Sequence, residues 1–268
     1  MNQTYLYLFA PLHTGGTTQE GNLVGIARES HTNLPYIPSS TIRGKLRASV
    51  KNQDTKFQLF GNELGDTNAQ LEQGDVWIGD ASILFLPVPS LSHGIVWVTS
   101  PLLLYRWARY QENSPQIPEP YSCSFVGGNQ NISVYLKDAI FKYTNNQETT
   151  DLTVWQNWQE FIPQNAVTKP INKLLVLPDQ HCATLIEMSL WRQVKIKLDE
   201  HKSVDGGFRY EDAIPPDTLM YYTNGLTSKA NGNGQQSLQE LNSLISNNNI
   251  IQFGGQESLG RGFCQQWN

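Results

Sequence analysis

The chain has 268 residues, 39% of them hydrophobic, and a formal net charge of −5. That length buries a sizeable core in one domain or two. The charge excludes a protein coated in positive charge, so nucleic-acid binding has to come from a localised basic strip. Cys123, Cys182 and Cys264 are far apart, lack metal-ligand spacing and read as reduced thiols of a cytoplasmic protein. No basic stretch precedes an apolar run at the start, and no apolar run is long enough to span a bilayer, so neither a signal peptide nor a membrane is expected.

In chain order, the aromatic-rich run 5–12 predicts a central first strand. His13-Thr14-Gly15-Gly16 ends it. His13 is open to three roles, a ligand, a base or a hydrogen-bonded turn residue, and a lone histidine beside glycines favours the turn. Residues 17–33 are polar and glycine-punctuated and read as a surface loop. The stretch Pro35-Tyr36-Ile37-Pro38-Ser39-Ser40-Thr41-Ile42-Arg43-Gly44-Lys45-Leu46-Arg47 reads as an extended approach, a stop, and a helix that starts on hydroxyls. Pro38 biases Ile37 toward extended geometry, and Ser39 or Ser40 suits the N-cap. Ile42, Leu46 and Val50 form a buried stripe, with Arg43 and Arg47 as a second stripe beside it. A helix N-terminus with hydroxyls and two arginines on one face suits a phosphate backbone; the plain alternative is a capped amphipathic helix with solvated arginines.

Residues 57–61 end in a turn, and 62–74 make a polar connection. Residues 76–88 predict one buried strand closed by Pro87 and Pro89, and 95–98 predict another. Ser100-Pro101 starts a helix to about Tyr110, with Leu102, Leu103 and Trp107 facing the core and Arg106 and Arg109 the surface. Residues 111–122 read as loop and 133–143 as strand. Asp151 is placed to cap a helix through Phe161, whose Trp155 and Trp158, three apart, suit a core face better than a base-stacking platform. A strand at 173–177 and a helix at 184–191 follow. The alternation Val194-Lys195-Ile196-Lys197-Leu198 puts Lys195 and Lys197 on one face. With Phe208-Arg209-Tyr210-Glu211 opposite, across the polar 201–207, it predicts a projecting hairpin arm. A strand at 219–223, a soft linker at 225–234, an amphipathic helix carrying Leu238, Leu241 and Leu244, and a last central strand at 250–253 complete the chain. The order strand-helix-strand-strand-helix-strand predicts an α+β, ferredoxin-like (RRM-like) core. This is a single domain over 1–268, in which the large insertion 111–218 adds a lid and the arm.

The last strand delivers Gln252-Phe253-Gly254-Gly255-Gln256-Glu257-Ser258-Leu259-Gly260-Arg261-Gly262-Phe263. Glycines at 254, 255, 260 and 262 describe a loop that lets backbone come close to a ligand, with Arg261 as a cation inside it. It is not a nucleotide-binding P-loop, which ends in Gly-Lys-Ser/Thr. Together with the 35–47 stretch, this loop resembles the RAMP superfamily of CRISPR effector proteins. That superfamily pairs a Pro-Tyr-Ile-Pro-Gly-Ser-Ser-hydrophobic-Lys-Gly-x-hydrophobic-Arg segment with a C-terminal Gly-Gly-x(4)-Gly-x-Gly loop. Ser39 stands here for the usual glycine and Arg43 for the usual lysine; Gly44, Arg47, Gly254, Gly255, Gly260 and Gly262 match. Residues 80–90, 94–102 and 206–215 resemble the backbone subunit of type III-B (Cmr) complexes, so five blocks in order span nearly the whole chain.

The resemblance implies a guide-RNA-binding subunit that polymerises head-to-tail along crRNA and holds paired single-stranded target RNA. Its partners would be copies of itself and other subunits of an antiviral CRISPR ribonucleoprotein. RNA is implied at the strand end by His13, at Arg28 of an Arg28-Glu29-x-His31 segment, on Ser39, Ser40, Arg43 and Arg47, and on the glycine loop with Arg261. It is also implied on Lys195 and Lys197 of a thumb that wedges between bases. Binding needs no cofactor. The alternative is an enzyme, either a metal-dependent endoribonuclease cutting the target at regular intervals with Mg2+ or Mn2+, or a guide-processing endoribonuclease relying on groups such as His13 and His31. The family's cleavage aspartate precedes the Arg-Glu-x-His segment, where this chain has Leu23, or Asn22 after a one-residue shift. Neither serves as a carboxylate base or a ligand for a hard metal. Glu20 and, on the arm, Glu211 are the remaining catalytic candidates, although a Glu211-Asp212 pair on its own is a common surface feature. The sequence therefore leans against cleavage.

Overall fold

A computed structural model describes residues 1–20, 23–62, 72–126, 131–143, 151–230, 232 and 234–268. The polar connection predicted at 62–74 and the linker at 225–234 lie partly outside these residues. β1 (Asn2–Leu8) alternates: Leu6 and Leu8 enter one apolar layer and Tyr7 the other, as a side-chain period of two requires. It stops short of the predicted 5–12 run, because Pro11 and Leu12 turn away toward Gly262 and Ile214. β2 (Gly15–Glu20) and β3 (Leu23–Ile26) form an antiparallel pair where a loop was expected. Their reason for being strands is non-local, since β3 pairs in parallel with residues 210–211 of the distant arm.

β4 (Tyr36–Ile37) leads into α1 (Ser39–Ser49) and α2 (Gln53–Phe60). Neither Ser39 nor Ser40 caps α1. Pro38 occupies the N-cap position without a side-chain bond, and the Ser39 N–H donates instead to Asp80 Oδ1 at 2.6 Å. α2, not expected from the sequence, ends at the turn expected at Gly61 (φ +72°), and Asn52 Oδ1 caps its start by accepting from the Thr55 N–H at 3.0 Å. β5 (Val76–Ile78) and β6 (Ala81–Ser90) split the single strand expected at 76–88. Pro87 and Pro89 do not close β6. They lie within it, opposite Trp97 and Ile95 of β7 (Gly94–Thr99). The Pro89 carbonyl accepts from Lys137 on the side away from β7, so the missing proline N–H falls outside the β6–β7 ladder.

α3 (Pro101–Ala108) is capped by Ser100 and buries Leu103, Leu104 and Trp107, whereas Leu102 is only partly buried. β8 (Ser122–Cys123) precedes the hairpin β9 (Ile132–Tyr135) and β10 (Ile140–Tyr143), which replaces one strand at 133–143. The helix expected from Asp151 is absent. β11 (Thr153–Val154) and a short 3-10 turn at Trp158–Phe161 stand there, with Trp155 buried and Trp158 packed against the same apolar layer. β12 (Leu174–Val176) and α4 (Asp179–Met188) follow, the helix lying N-terminal to its predicted place. β13 (Trp191–Leu198) and β14 (Val204–Ala213) make the arm. β15 (Leu219–Leu226), α5 (Gly234–Asn247), β16 (Ile250–Gln252) and β17 (Phe263–Trp267) end the chain.

The protein is α+β. Its large sheet runs β11-β8-β12-β7-β6-β15-β1-β17-β16, with β4 on β6 and β5 on β15; β13, β14, β3 and β2 form a separate sheet. β17, not the predicted 250–253 segment, is the last central strand, because β16 pairs with β17 alone and sits at the edge. Ile42 and Leu46 of α1 and Leu241 and Ile245 of α5 share one layer with Leu6 and Tyr222. Leu104, Trp107 and Phe161 cover the other side with Tyr7 and Tyr221. Fully burying each such side chain contributes about 1.5–3 kcal/mol. Among the described residues, no helix is long and apolar enough to cross a membrane.

Because the α1 cap comes from Asp80, Asp80→Ala should cost about 0.5–2 kcal/mol in urea unfolding. Ser39→Ala and Ser40→Ala should shift the midpoint far less; an equal loss in Ser39→Ala would contradict the cap assignment.

Candidate nucleic-acid interface

The glycine loop is closed by its own backbone. The Phe253 N–H donates to Gly262 O, the Gly262 N–H to Pro11 O and the Gly255 N–H to His13 O. Buried Gln252 donates from Nε2 to the carbonyls of Phe253, Gly254 and Arg261 at 3.1–3.2 Å. Two glycines are required by these contacts. Gly254 has φ +75°, and a Cβ there would meet His13 O at 2.3 Å. Gly262 has φ +78°, and a Cβ would meet Phe253 O at 1.9 Å. Gly254 and Gly262 therefore serve close approach of protein backbone, where the sequence suggested a ligand. Gly255 and Gly260 lie on the exposed side.

The root of the arm stands against this loop. Glu211, only 1% exposed, accepts from Lys195 Nζ at 2.7 Å, Arg209 Nη2 at 2.8 Å and Gln256 Nε2 at 2.6 Å. Arg261 Nη1 approaches it at 3.8 Å, and Arg261 Nη2 bonds Gln193 Oε1. Burial alone would push the Glu211 carboxyl up. The hydrogen bonds from Lys195 and Gln256, with the charges of Lys195 and Arg209, outweigh it and hold the carboxyl below its ordinary range. On the opposite face Asp212, fully buried, takes a bidentate pair from Arg192 at 2.8 and 3.0 Å, which raises the Arg192 guanidinium. The Asp212 carbonyl accepts from His13 Nδ1 at 2.7 Å. His13 is thus buried between β1 and β2, hydrogen-bonded to both the loop and the arm.

Several candidate RNA ligands stand elsewhere than the sequence suggested. Arg43 and Arg47 point at the C-terminal end of α2. Arg43 Nη2 donates to Phe60 O, and Arg47 Nη1 donates to Phe60 O at 3.1 Å and Gly61 O at 2.6 Å. The Arg43 guanidinium also lies 5.4 Å from the Phe60 ring centroid, and burial, then the Arg47 charge, lowers its pKa from the ordinary value. A helix C-terminus attracts cations, so these arginines cap α2 in this structure. Arg261 is buried under the arm, not displayed by the loop. The residue that the sequence reading missed is Lys45. On the other side of α1 its Nζ lies 3.8 Å from Glu257 Oε2 and 3.5 Å from Gln252 Oε1, beside the glycine loop. Its signal was its place two residues on from Arg43, on a different helix face.

Arg28 bonds Glu187 and the Asn33 carbonyl, and Arg106, expected at the surface, clasps Glu29 with both bonds near 3 Å. These pairs border a cavity of about 520 Å3 that Leu23, Tyr36 and Asp212 also line. Leu23 pairs with Tyr210 across β3 and β14. Asn22 and the Glu20 side chain, the catalytic alternatives, lie outside the described residues; the Glu20 backbone ends β2. Glu211 does not stand as a free base, because both its oxygens already accept hydrogen bonds and its basicity is lowered. Among the described residues no group of three His, Cys, Asp or Glu side chains gathers for a metal. Glu211 and Asp212 are committed to cations, so neither stands as a free ligand for Mg2+.

The arm has two unlike faces. Val194, Ile196, Leu198, Val204, Phe208 and Tyr210 share one, each between 37% and 59% exposed. The other holds Gln193, Lys195, Arg209 and Glu211 at the root. Lys197 lies farther out on it, paired with Asp205 at 2.8 Å. An uncovered apolar face beside a charged one suits a surface that meets both flat rings and phosphates.

A closed glycine loop, a charged arm root beside it and the five sequence blocks define a class, and comparison with known proteins agrees. The profile of the RAMP superfamily matches residues 5–265. The chain belongs to the RAMP superfamily. It is 29% identical to the CRISPR system Cmr endoribonuclease Cmr4 of Pyrococcus furiosus, over 97% of this chain and 92% of that protein. The crystal structure of oligomeric Cmr4 from Pyrococcus furiosus superposes with a TM-score of 0.71 at 25% identity, covering 99% of this chain and 96% of the other. A chain of the type III-B Cmr-beta complex bound to cognate target RNA shares the fold with a TM-score of 0.76 at 20% identity, covering 99% and 95%.

Two outcomes follow from this geometry. Gly262→Ala should destabilise the protein by more than the roughly 1 kcal/mol typical of a left-handed non-glycine residue, because the Phe253 carbonyl must also move; a thermal melt measures it. The depressed Glu211 carboxyl contributes stability that is fully present above its ordinary value of 4.5 and is lost as pH falls through its lower folded value. Glu211→Gln should therefore lower stability at pH 7 by about 1–3 kcal/mol and flatten the acid limb of the stability curve. An acid limb unchanged from the parent would remove Glu211 from that role.

Proposed function

We propose that this chain is a guide-RNA-binding backbone subunit of a type III-B CRISPR effector complex, packing head-to-tail along crRNA with other effector subunits and holding paired target RNA. The 29% identity to Pyrococcus furiosus Cmr4 along 97% of the chain carries this reading. The strand order β6-β15-β1-β17, with α1 following β1 and α5 following β15, supports a ferredoxin-like core in which the arm is the thumb and segments between residues 111 and 190 the lid. Lys195, Lys197 and Arg209 on the polar face of the arm, with Lys45 beside the glycine loop, supply the local positive charge that a chain of net charge −5 needs for a phosphate backbone. We assign the phosphate contacts to Lys45, Lys197 and Arg209, with the exposed Gly255 and Gly260 letting the RNA backbone come close. The exposed apolar face of the arm then lies against bases. Guide-target pairing supplies sequence specificity, and the protein reads backbone and shape.

The second reading, target cleavage, is favoured by the endoribonuclease activity in the relative's name. Against it stand Leu23 at the expected aspartate and the committed state of Glu211. Binding needs no cofactor on this view, and Mg2+ or Mn2+ enters only if Glu20 replaces the aspartate.

Anisotropy titrations of single-stranded RNA against salt test the binding reading. Lys45→Ala with Lys197→Ala should lower the salt slope by about 0.7 per lost phosphate contact. Arg43→Ala should lower stability and leave the slope alone. Absence of RNA binding at low salt by the wild-type chain would sink the proposal.

In the assembled guide complex, labelled complementary RNA should stay bound and uncut with magnesium or manganese. Regularly spaced cuts that vanish in Glu20→Ala would establish the second reading.

A further inference from the structure

The two surfaces assigned to RNA, the arm and the glycine loop, come from segments separated by some forty residues, yet buried groups tie them together. Glu211 of β14 receives Lys195 from β13, Arg209 from its own strand and Gln256 from the loop. Arg261 crosses the same junction to Gln193 and Glu211. His13 makes a further strut, its ring bonded to the Asp212 carbonyl at 2.7 Å and its carbonyl to the Gly255 N–H at 3.0 Å. Beyond this root the arm residues are exposed on both faces, so its direction relative to the loop is fixed at the root.

We propose that Glu211 is a positioning residue that locks the arm to the glycine loop, so that the two sides of the RNA groove are set before RNA arrives. This rests on the RNA-binding reading above. The lock is charge-specific. Three cations converge on one buried carboxylate, and removing its charge leaves Lys195, Arg209 and the buried Arg261 repelling one another at the root. A root released in this way lets the arm sample directions that RNA must then select against, which weakens binding although Glu211 itself meets no RNA.

The experiment places cysteines at Ser203, in the arm turn, and Ser258, in the loop, for spin labels. Cys123, Cys182 and Cys264 are buried and stay unlabelled. In the RNA-free parent the label distance should form one narrow distribution. Glu211→Gln should broaden it and weaken single-stranded RNA binding by about fivefold or more. Gln256→Asn is the milder second variant. Asn tolerates the left-handed backbone at this position (φ +66°) but is too short to reach Glu211, so it should act in the same direction with less effect on folding. Asp205→Asn, which removes an ion pair on the same arm away from the root, should leave the distribution narrow. An unchanged distribution in both Glu211→Gln and Gln256→Asn overturns the lock, and broadening with undiminished RNA affinity overturns its role in binding. If the parent binds no RNA, the functional reading fails, while broadening in Glu211→Gln still upholds the mechanical lock.

Discussion

A carboxylate buried to 1% exposure is tolerated only when cations and hydrogen-bond donors surround it, and at Glu211 these come from three separate segments. Satisfying that one group forces β13, β14 and the glycine loop to a common point. The neighbouring Asp212 does the same on the opposite face with Arg192 and, through its carbonyl, with His13. Alternation along β14 makes this possible, since adjacent residues point to opposite sides. One acidic dipeptide therefore pins both faces of the arm root, and Gly254 is needed because the backbone of His13 lies against it.

Charge in this protein is placed by position more than by amount. The net charge is −5, and the arginines that look most available in sequence are consumed internally. Arg43 and Arg47 close α2, Arg28 and Arg106 hold the segment after β3 to α4 and α3, and Arg261 lies beneath the arm. The basic side chains left around the loop and arm are few, which suits a surface that contacts a backbone without sequence preference while pairing elsewhere supplies the specificity.

The segment at β3 shows how a catalytic position can be given a different structural role. Leu23, which ungapped matching sets against the resembled family's aspartate while a one-residue shift offers Asn22, pairs with Tyr210 at the foot of the arm's apolar face. An aspartate at that register would bring a charge beside an aromatic ring; the leucine continues the apolar surface. The nearby acids, Glu29, Glu187 and Asp212, are each bound to an arginine, so the cavity beside Leu23 has no carboxylate among these that is ready to act as a base.

Much was legible in the residues themselves. An aromatic-rich apolar run announced β1, period-two alternation announced β13, apolar residues at helical spacing announced α1 and α5, and the paired glycines announced a backbone close approach. These signals are local, written within one turn or one pleat. The tertiary structure alone decided the rest. β2 and β3 are strands because the arm supplies an edge. β17 takes the central place because β1 needs a second neighbour, and α1 is capped by Asp80, immediately before β6, the strand paired with β4. Arg43, Arg47 and Arg261 turned inward for the same reason: a cation goes to whichever carbonyl or carboxylate the folded chain brings within reach, and a linear sequence does not record that distance.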